Sequence, residues 1–338
     1  MFDDSIQVTG QIVKTRALGF TLVEVMVAMT LGIILSLGMT TLAGNMSYSY
    51  SQLNSASEQL ENGRYALQLL REDISHGGEF GSFKGYNSFG ESGVTSLPNP
   101  CSTSATDLSS GMSIPIQGYK SNADLSCISN YKYGTDILVV RRASSTPVAV
   151  ATLTTSDTNI YMQAFFLNKN IGPGSGQAGV FALKYDGTDA SVNNLAIPVR
   201  KYIVDIYYIA SCNVCSGTAD TTPTLKRLEL VNGSFQTVAL VEGIENMQLE
   251  YGIGSDTEGY PASYKADETT IALKDWFNVL SVQVNLMARN KEKTAGYTDT
   301  KRYKLGTVSY DSQNDAYKRH VFSSTVRVVT LSDRREST

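Results

Sequence analysis

The chain predicts an α+β fold: one long N-terminal helix, membrane-spanning in its first half and amphipathic in its second, packed on a mostly antiparallel β-sheet head. Three observations predict it. Residues 20–43 form an apolar run whose only charge is Glu24. Residues 44–75 keep a helical pattern with one apolar stripe, and no proline interrupts residues 20–75. From Asp136 onward, apolar residues alternate with a period of two between turn signals, which suits antiparallel hairpins.

The first half of the helix reads FTLVEVMVAMTLGIILSLGMTTLA, 24 residues from Phe20 to Ala43. As a helix it would extend about 36 Å. A bilayer core is about 30 Å thick, so the segment can span it with some tilt. Lys14 and Arg16 precede the run and nothing basic follows until Arg64. That asymmetry keeps the N-terminus in the cytoplasm and carries the remainder across the membrane. Glu24 is the anomaly, because a carboxylate inside an apolar span costs about 2.5–3.5 kcal/mol and calls for a partner.

In the second half, Leu53, Ala56, Leu60, Leu67, Leu70 and Ile74 follow three- and four-residue steps, with Gly63 filling the gap. Glu58, Glu61, Arg64, Gln68, Arg71 and Glu72 lie between them, so the stripe is expected to dock on the head. Gly77-Gly78 is the stop signal. Residues 76–135 are rich in Gly, Ser, Asn and Pro and predict a loop-rich region stapled by cysteines. Residues 136–338 predict the β-rich head.

Within the head, Ile137–Val140 suits a central strand, and Tyr202 to Tyr208 alternate. Leu228 and Leu230, then Asn232-Gly233, then Phe235 to Val241 read as a hairpin. Met247, Leu249 and Tyr251 alternate with Gln248 and Glu250. Leu280, Val282, Val284 and Leu286 alternate with Ser281, Gln283 and Asn285 and predict a half-buried strand. Phe322, Val326 and Val328 mark the last strand.

Composition narrows the function. The net charge is −4, and it stays there without residues 1–19, because Asp3 and Asp4 balance Lys14 and Arg16. That is the wrong balance for a dedicated nucleic-acid binder. Cys101, Cys127, Cys212 and Cys215 all follow the span, where an oxidising compartment pairs them. Three connectivities are open; Cys101–Cys127 and Cys212–Cys215 are the favoured pairs. A zinc site at the C-x-x-C would need two more ligands, and the chain has only His76 and His320. A redox motif is the other alternative, but Cys212-Asn213-Val214-Cys215 lies between strand-like segments and not at a helix N-terminus. No G-x-S-x-G, H-E-x-x-H or phosphate-cradling loop is present, so no catalytic residue is assigned. His76 reads as a helix-end histidine, and Lys291-Glu292-Lys293 as a solvated turn.

Leu-Gly-Phe-Thr-Leu-Val-Glu, residues 18–24, resembles the type IV prepilin cleavage site. The resemblance implies that residues 1–19 are a leader and that an inner-membrane prepilin peptidase cuts after Gly19. Phe20 then becomes the methylated first residue, and Glu24 pairs with the N-terminal amine of a neighbouring subunit during assembly. A secretory signal would instead be cut after the apolar run, which ends without a convincing A-x-A-like site. Further patches are similar to PilW-type minor pilins: Asn62 to Leu67 with Arg71 to Ile74, Val241 to Gly252, Trp276 with the strand to Arg289, and Arg319 to Val326.

This resemblance implies a pilin-like fold and a non-enzymatic minor pilin that primes type IV pilus assembly at the filament tip. Twitching motility, adhesion or DNA uptake would follow indirectly. Its partners would be the peptidase, other minor pilins, the major pilin, the inner-membrane assembly platform and a non-pilin tip adhesin. The head would be periplasmic before reaching the pilus. No cofactor is implied, although related chains carry Asp-rich turns where this one has Asp256 and Glu258. A calcium ion held there is the alternative to an ordinary solvated turn. The rival assignments are a J-like pseudopilin of a type II secretion system, a ligand-binding tip adhesin or DNA receptor, and a membrane-tethered enzyme.

Overall fold

A computed structural model describes residues 19–83, 92–120, 125–166, 168–185, 195–255 and 257–336. The chain forms two compact units, residues 1–54 and 55–338. Helix α1, Leu22–Ser75, is 54 residues long and begins in the first unit. The Thr21 hydroxyl accepts the Glu24 N–H at 3.2 Å and caps the first turn. Along the apolar part, Thr30 donates to the Val27 carbonyl at 2.9 Å and Thr40 to the Ser36 carbonyl at 3.0 Å. Hydroxyls satisfied within the helix suit a segment surrounded by lipid. All residues from 19 to 51 are exposed.

The second unit holds the rest of α1 and the head. Its strands are β1 (Ser82–Phe83), β2 (Ile116–Tyr119), β3 (Ile137–Val148), β4 (Ile160–Phe166), β5 (Asn168–Pro173), β6 (Val199–Ala210), β7 (Thr224–Val231) and β8 (Ser234–Glu242). Then follow β9 (Ile244–Ile253), β10 (Ser263–Lys265), β11 (Val279–Arg289), β12 (Arg302–Leu305), β13 (Val308–Asp311) and β14 (Arg319–Arg327). Short helices α2 (Ala105–Gly111), α3 (Gln177–Val180), α4 (Leu273–Trp276) and α5 (Val329–Glu336) lie between or after them.

The head has two main sheets where the sequence suggested one. The larger runs β1-β4-β6-β3-β2, with β5 on β4, β7 on β6 and β8 on β7. The smaller runs β10-β9-β11-β14, and β12 pairs with β13 in a separate hairpin. Among the described strands every pairing is antiparallel except β1 with β4. The β7–β8 hairpin turns at Asn232 and Gly233, with φ of 51° and 70°, the left-handed pair that a tight hairpin needs.

The main core joins Ala66, Leu70 and Ile74 of α1 to Leu138, Val140 and Tyr207 of the larger sheet and Leu249, Val282 and Val284 of the smaller. Trp276 closes it against Tyr251, with ring centroids 4.9 Å apart. A second core covers the far face of the larger sheet, where Leu108, Met112 and Phe80 meet Tyr202, Ile206 and Tyr208. The loop-rich region is therefore a packed layer carrying β1, α2 and β2.

Two burial patterns differ from expectation. β11 is not half-buried: Ser281 and Asn285 on its polar face are as enclosed as its valines. The turn of the β12–β13 hairpin caps that face, and the Thr307 N–H donates to Glu250 Oε1 at 2.7 Å. The helix stripe is also rotated. Leu53 and Leu60 are exposed, whereas Gln59, Gly63, Ala66, Leu70, Asp73 and Ile74 are buried. α1 stops at Ser75, and Gly78 adopts φ +80° while its N–H donates to the Arg141 carbonyl at 2.9 Å.

Candidate functional site

At the N-terminal end the structure places Gly19 and Phe20 just ahead of α1, and Glu24 in its first turn. All three are exposed. Three residues separate Phe20 from Glu24, whose N–H is capped by Thr21, so the two lie at one end of one helix. Among the described residues Glu24 forms no ion pair, and it is the one charged residue between Phe20 and Ala43.

Polar contacts add to the apolar core in holding the second half of α1 on the head. Gln59 Nε2 donates to the carbonyls of Ala288 and Lys318, each at 2.8 Å. Asn62 Nδ2 donates to the Glu242 carbonyl at 3.2 Å. Next to Asn62, Gly63 admits the Phe322 ring. Lys291, exposed in a bend, also links α1 to the head, with its ammonium 2.7 Å from both Glu58 and Glu242. The hydrogen bonds it donates to Glu242 and Glu58 raise its pKa.

Near the C-terminal end of α1, Asp73 Oδ1 lies 2.5 Å from Arg142 Nε, and Asp73 Oδ2 accepts the Tyr207 hydroxyl at 3.1 Å. Arg142 also approaches Asp205 at 3.8 Å, and Arg227 approaches Asp205 at 3.6 Å. Burial, then the adjacent Asp73 charge, push the Asp205 carboxyl up to about 7 against the pull of both arginines. This cluster ties the helix end to β3, β6 and β7.

A second buried hub fixes the excursion between β11 and β14. The Arg319 side chain is fully buried and reaches Glu245 at 2.6 Å, Asp299 at 2.9 Å and Asp315 at 2.7 Å. Burial alone would raise the Glu245 carboxyl, but the Arg319 hydrogen bond and the Lys132 and Arg319 charges hold it below the usual range. Asp136 behaves differently: burial pushes it up to about 6, even with Lys120 Nζ at 2.8 Å.

The structure pairs Cys101 with Cys127 and Cys212 with Cys215. Asp220 organises the second loop by accepting the N–H groups of Asn213 at 2.9 Å and Val214 at 2.8 Å. Asp256 of the calcium reading lies outside the described residues. Glu258 is exposed, and it raises the pKa of Tyr260 by hydrogen bonding to it. Among the described residues no group of three or more His, Cys, Asp or Glu is placed to hold a metal. His76 Nδ1 lies 2.8 Å from the Glu72 carbonyl, and the exposed His320 ring packs on Phe322 at 4.7 Å.

Sequence reasoning missed the Asp73–Arg142–Asp205 cluster and the Arg319 hub. Gln59, Gly63, Ala66, Leu70 and Asp73 do recur at helical spacing, a signal that hydrophobic patterning alone passes over. Glu245 and Arg319 are 74 residues apart and carry no local signal.

Two family models match parts of the chain. The family described as type IV pilus-assembly protein W matches residues 206–329, from within β6 to the start of α5. A prokaryotic N-terminal methylation motif matches residues 14–40. No curated protein matches the chain. Among solved structures, a type IV-like pilin from Thermus thermophilus matches with 12% identity and a TM-score of 0.25, over 54% of this chain and 90% of that one. The chain is thus similar to the type IV pilus-assembly protein W family over residues 206–329 of its head and carries the methylation motif over residues 14–40.

Proposed function

We propose that this protein joins other minor pilins in a complex that primes type IV pilus assembly and stays at the filament tip. It would support twitching motility, adhesion or DNA uptake through the filament. The peptidase cuts after Gly19 and methylates Phe20. The helix then waits in the inner membrane with the head in the periplasm. On assembly, Glu24 accepts the positive Phe20 amine of an adjacent subunit, which lets both charges leave the membrane together. The observation that carries this reading is Glu24 in the first turn of α1, the one charge in the apolar, exposed stretch from Phe20 to Ala43, within a match to the methylation motif. Loss of the carboxylate removes the partner but not the cleavage site. Glu24→Ala should therefore be processed normally yet recruited poorly into sheared pili, read by immunoblot. Full recruitment and full piliation would remove the pairing role.

A further inference from the structure

The smaller sheet ends at β14, and β14 lacks the protection that edge strands usually carry. Its register against β11 runs unbroken over nine pairs, from Ser281 with Arg327 to Arg289 with Arg319. Two hydrogen bonds flank that ladder: Val328 N–H to the Leu280 carbonyl at 2.8 Å and Asn290 N–H to the Lys318 carbonyl at 3.1 Å. They fix the parity. Phe322, Ser324 and Val326 turn their backbone groups to β11, while Val321, Ser323 and Thr325 turn theirs outward. Those outward groups have no backbone partner among the described residues.

Edge strands are normally blunted by charge, proline or a bulge. From His320 to Val326 this one has no Lys, Arg, Asp, Glu or Pro. β8, the other nine-residue edge, differs because its pairing with β7 is interrupted by a register shift at Leu225/Lys226. Beside β14 lies an open groove of about 620 Å³ walled by α1. Arg64, Leu67, Arg71 and Glu72 line one side, and Ser323 and Ser324 the other. Arg64 and Arg71 are exposed and form no ion pair among the described residues. Leu67 is half-buried and offers the groove an apolar floor.

We infer that β14 accepts an added strand: an extended segment of another protein chain, bearing carboxylate side chains, pairs with Val321, Ser323 and Thr325. Its backbone supplies the missing ladder. Its acidic side chains meet Arg64 and Arg71, whose combined charge exceeds that of Glu72, and an apolar residue covers Leu67. This holds whether or not the filament-tip reading does.

The test is amide hydrogen exchange on the full chain, alone in detergent and within the pilus-assembly complex isolated from its host. A photo-crosslinking residue at Ser323 maps the neighbour. Strand addition predicts at least tenfold slower exchange at Val321, Ser323 and Thr325 in the complex, with Ser324 and Val326 little changed. The crosslinked peptide should be acidic. Thr325→Pro removes an outward N–H while leaving the β11 ladder intact, so it should abolish both effects without lowering Tm. Equal exchange at the three odd positions in both states, or an unaffected crosslink in Thr325→Pro, would overturn the inference. So would a crosslink to a helix or to a second copy of this chain. Loss of tip recruitment with this protection retained would instead count against the proposed function.

Discussion

The Phe322 ring lies directly against the backbone of Gly63: a Cβ built at that glycine would fall 2.2 Å from Phe322 Cε2. The missing side chain at Gly63 thus makes room for the ring, between the Gln59 and Asp73 contacts that hold the same helix face.

An alanine at Gly63 should help the helix by about 1 kcal/mol, since glycine is a poor helix former. Overpacking against the ring costs about 1–3 kcal/mol. At 2.2 Å the clash wins, so Gly63→Ala should lose about 1 kcal/mol in urea unfolding of the full chain in detergent. In a Phe322→Ala background the same change should stabilise. The same sign in both backgrounds would contradict the packing account.

Arg319 is the sole cation in direct contact with Asp299 and Asp315 among the described ion pairs, and it is fully buried. Arg319→Met removes one partner and leaves buried carboxylates uncompensated. Such a change costs about 3–5 kcal/mol. Glu245, Asp299 and Asp315 are all held below the usual carboxylate range, by the Arg319 hydrogen bonds working against burial at Glu245 and Asp299. Their contribution is therefore present above the unfolded pKa near 4 and lost as pH falls. The gap between Arg319→Met and wild type should narrow below about pH 4 in thermal melts.

Asp205 has the opposite sign. Its folded pKa of about 7 lies above the unfolded value, so the folded state holds a proton that the unfolded chain releases. That contribution is complete below about pH 4 and is lost as pH rises through about 7. Asp205→Asn keeps the neutral form at every pH. It should flatten the fall in Tm between pH 5 and pH 8; an unchanged slope would show that Asp205 ionises freely in the folded protein.

Much of this architecture is legible because side-chain period is local. The alternation from Leu280 to Leu286 and the Asn232-Gly233 turn correspond to β11 and the β7–β8 hairpin. Period cannot say what lies across a polar face, however. Ser281 and Asn285 look solvent-facing by sequence, yet the β12–β13 hairpin encloses them. Leu53 and Leu60 fit a buried stripe by type and spacing but lie outside the buried face, while Gln59 and Asp73 supply the anchoring contacts. At the N-terminus the motif over residues 14–40 is legible because its residues are neighbours in sequence. The edge of β14 is not, since an open edge is defined by what fails to pair with it.

The most direct test of the prepilin account is intact-mass spectrometry of the protein purified from its host membranes. The account predicts a chain that begins at methylated Phe20 and is lighter by the hydrogens of two disulfides. A chain still carrying residues 1–19 beside an active prepilin peptidase, or one cut after the apolar span, would contradict it.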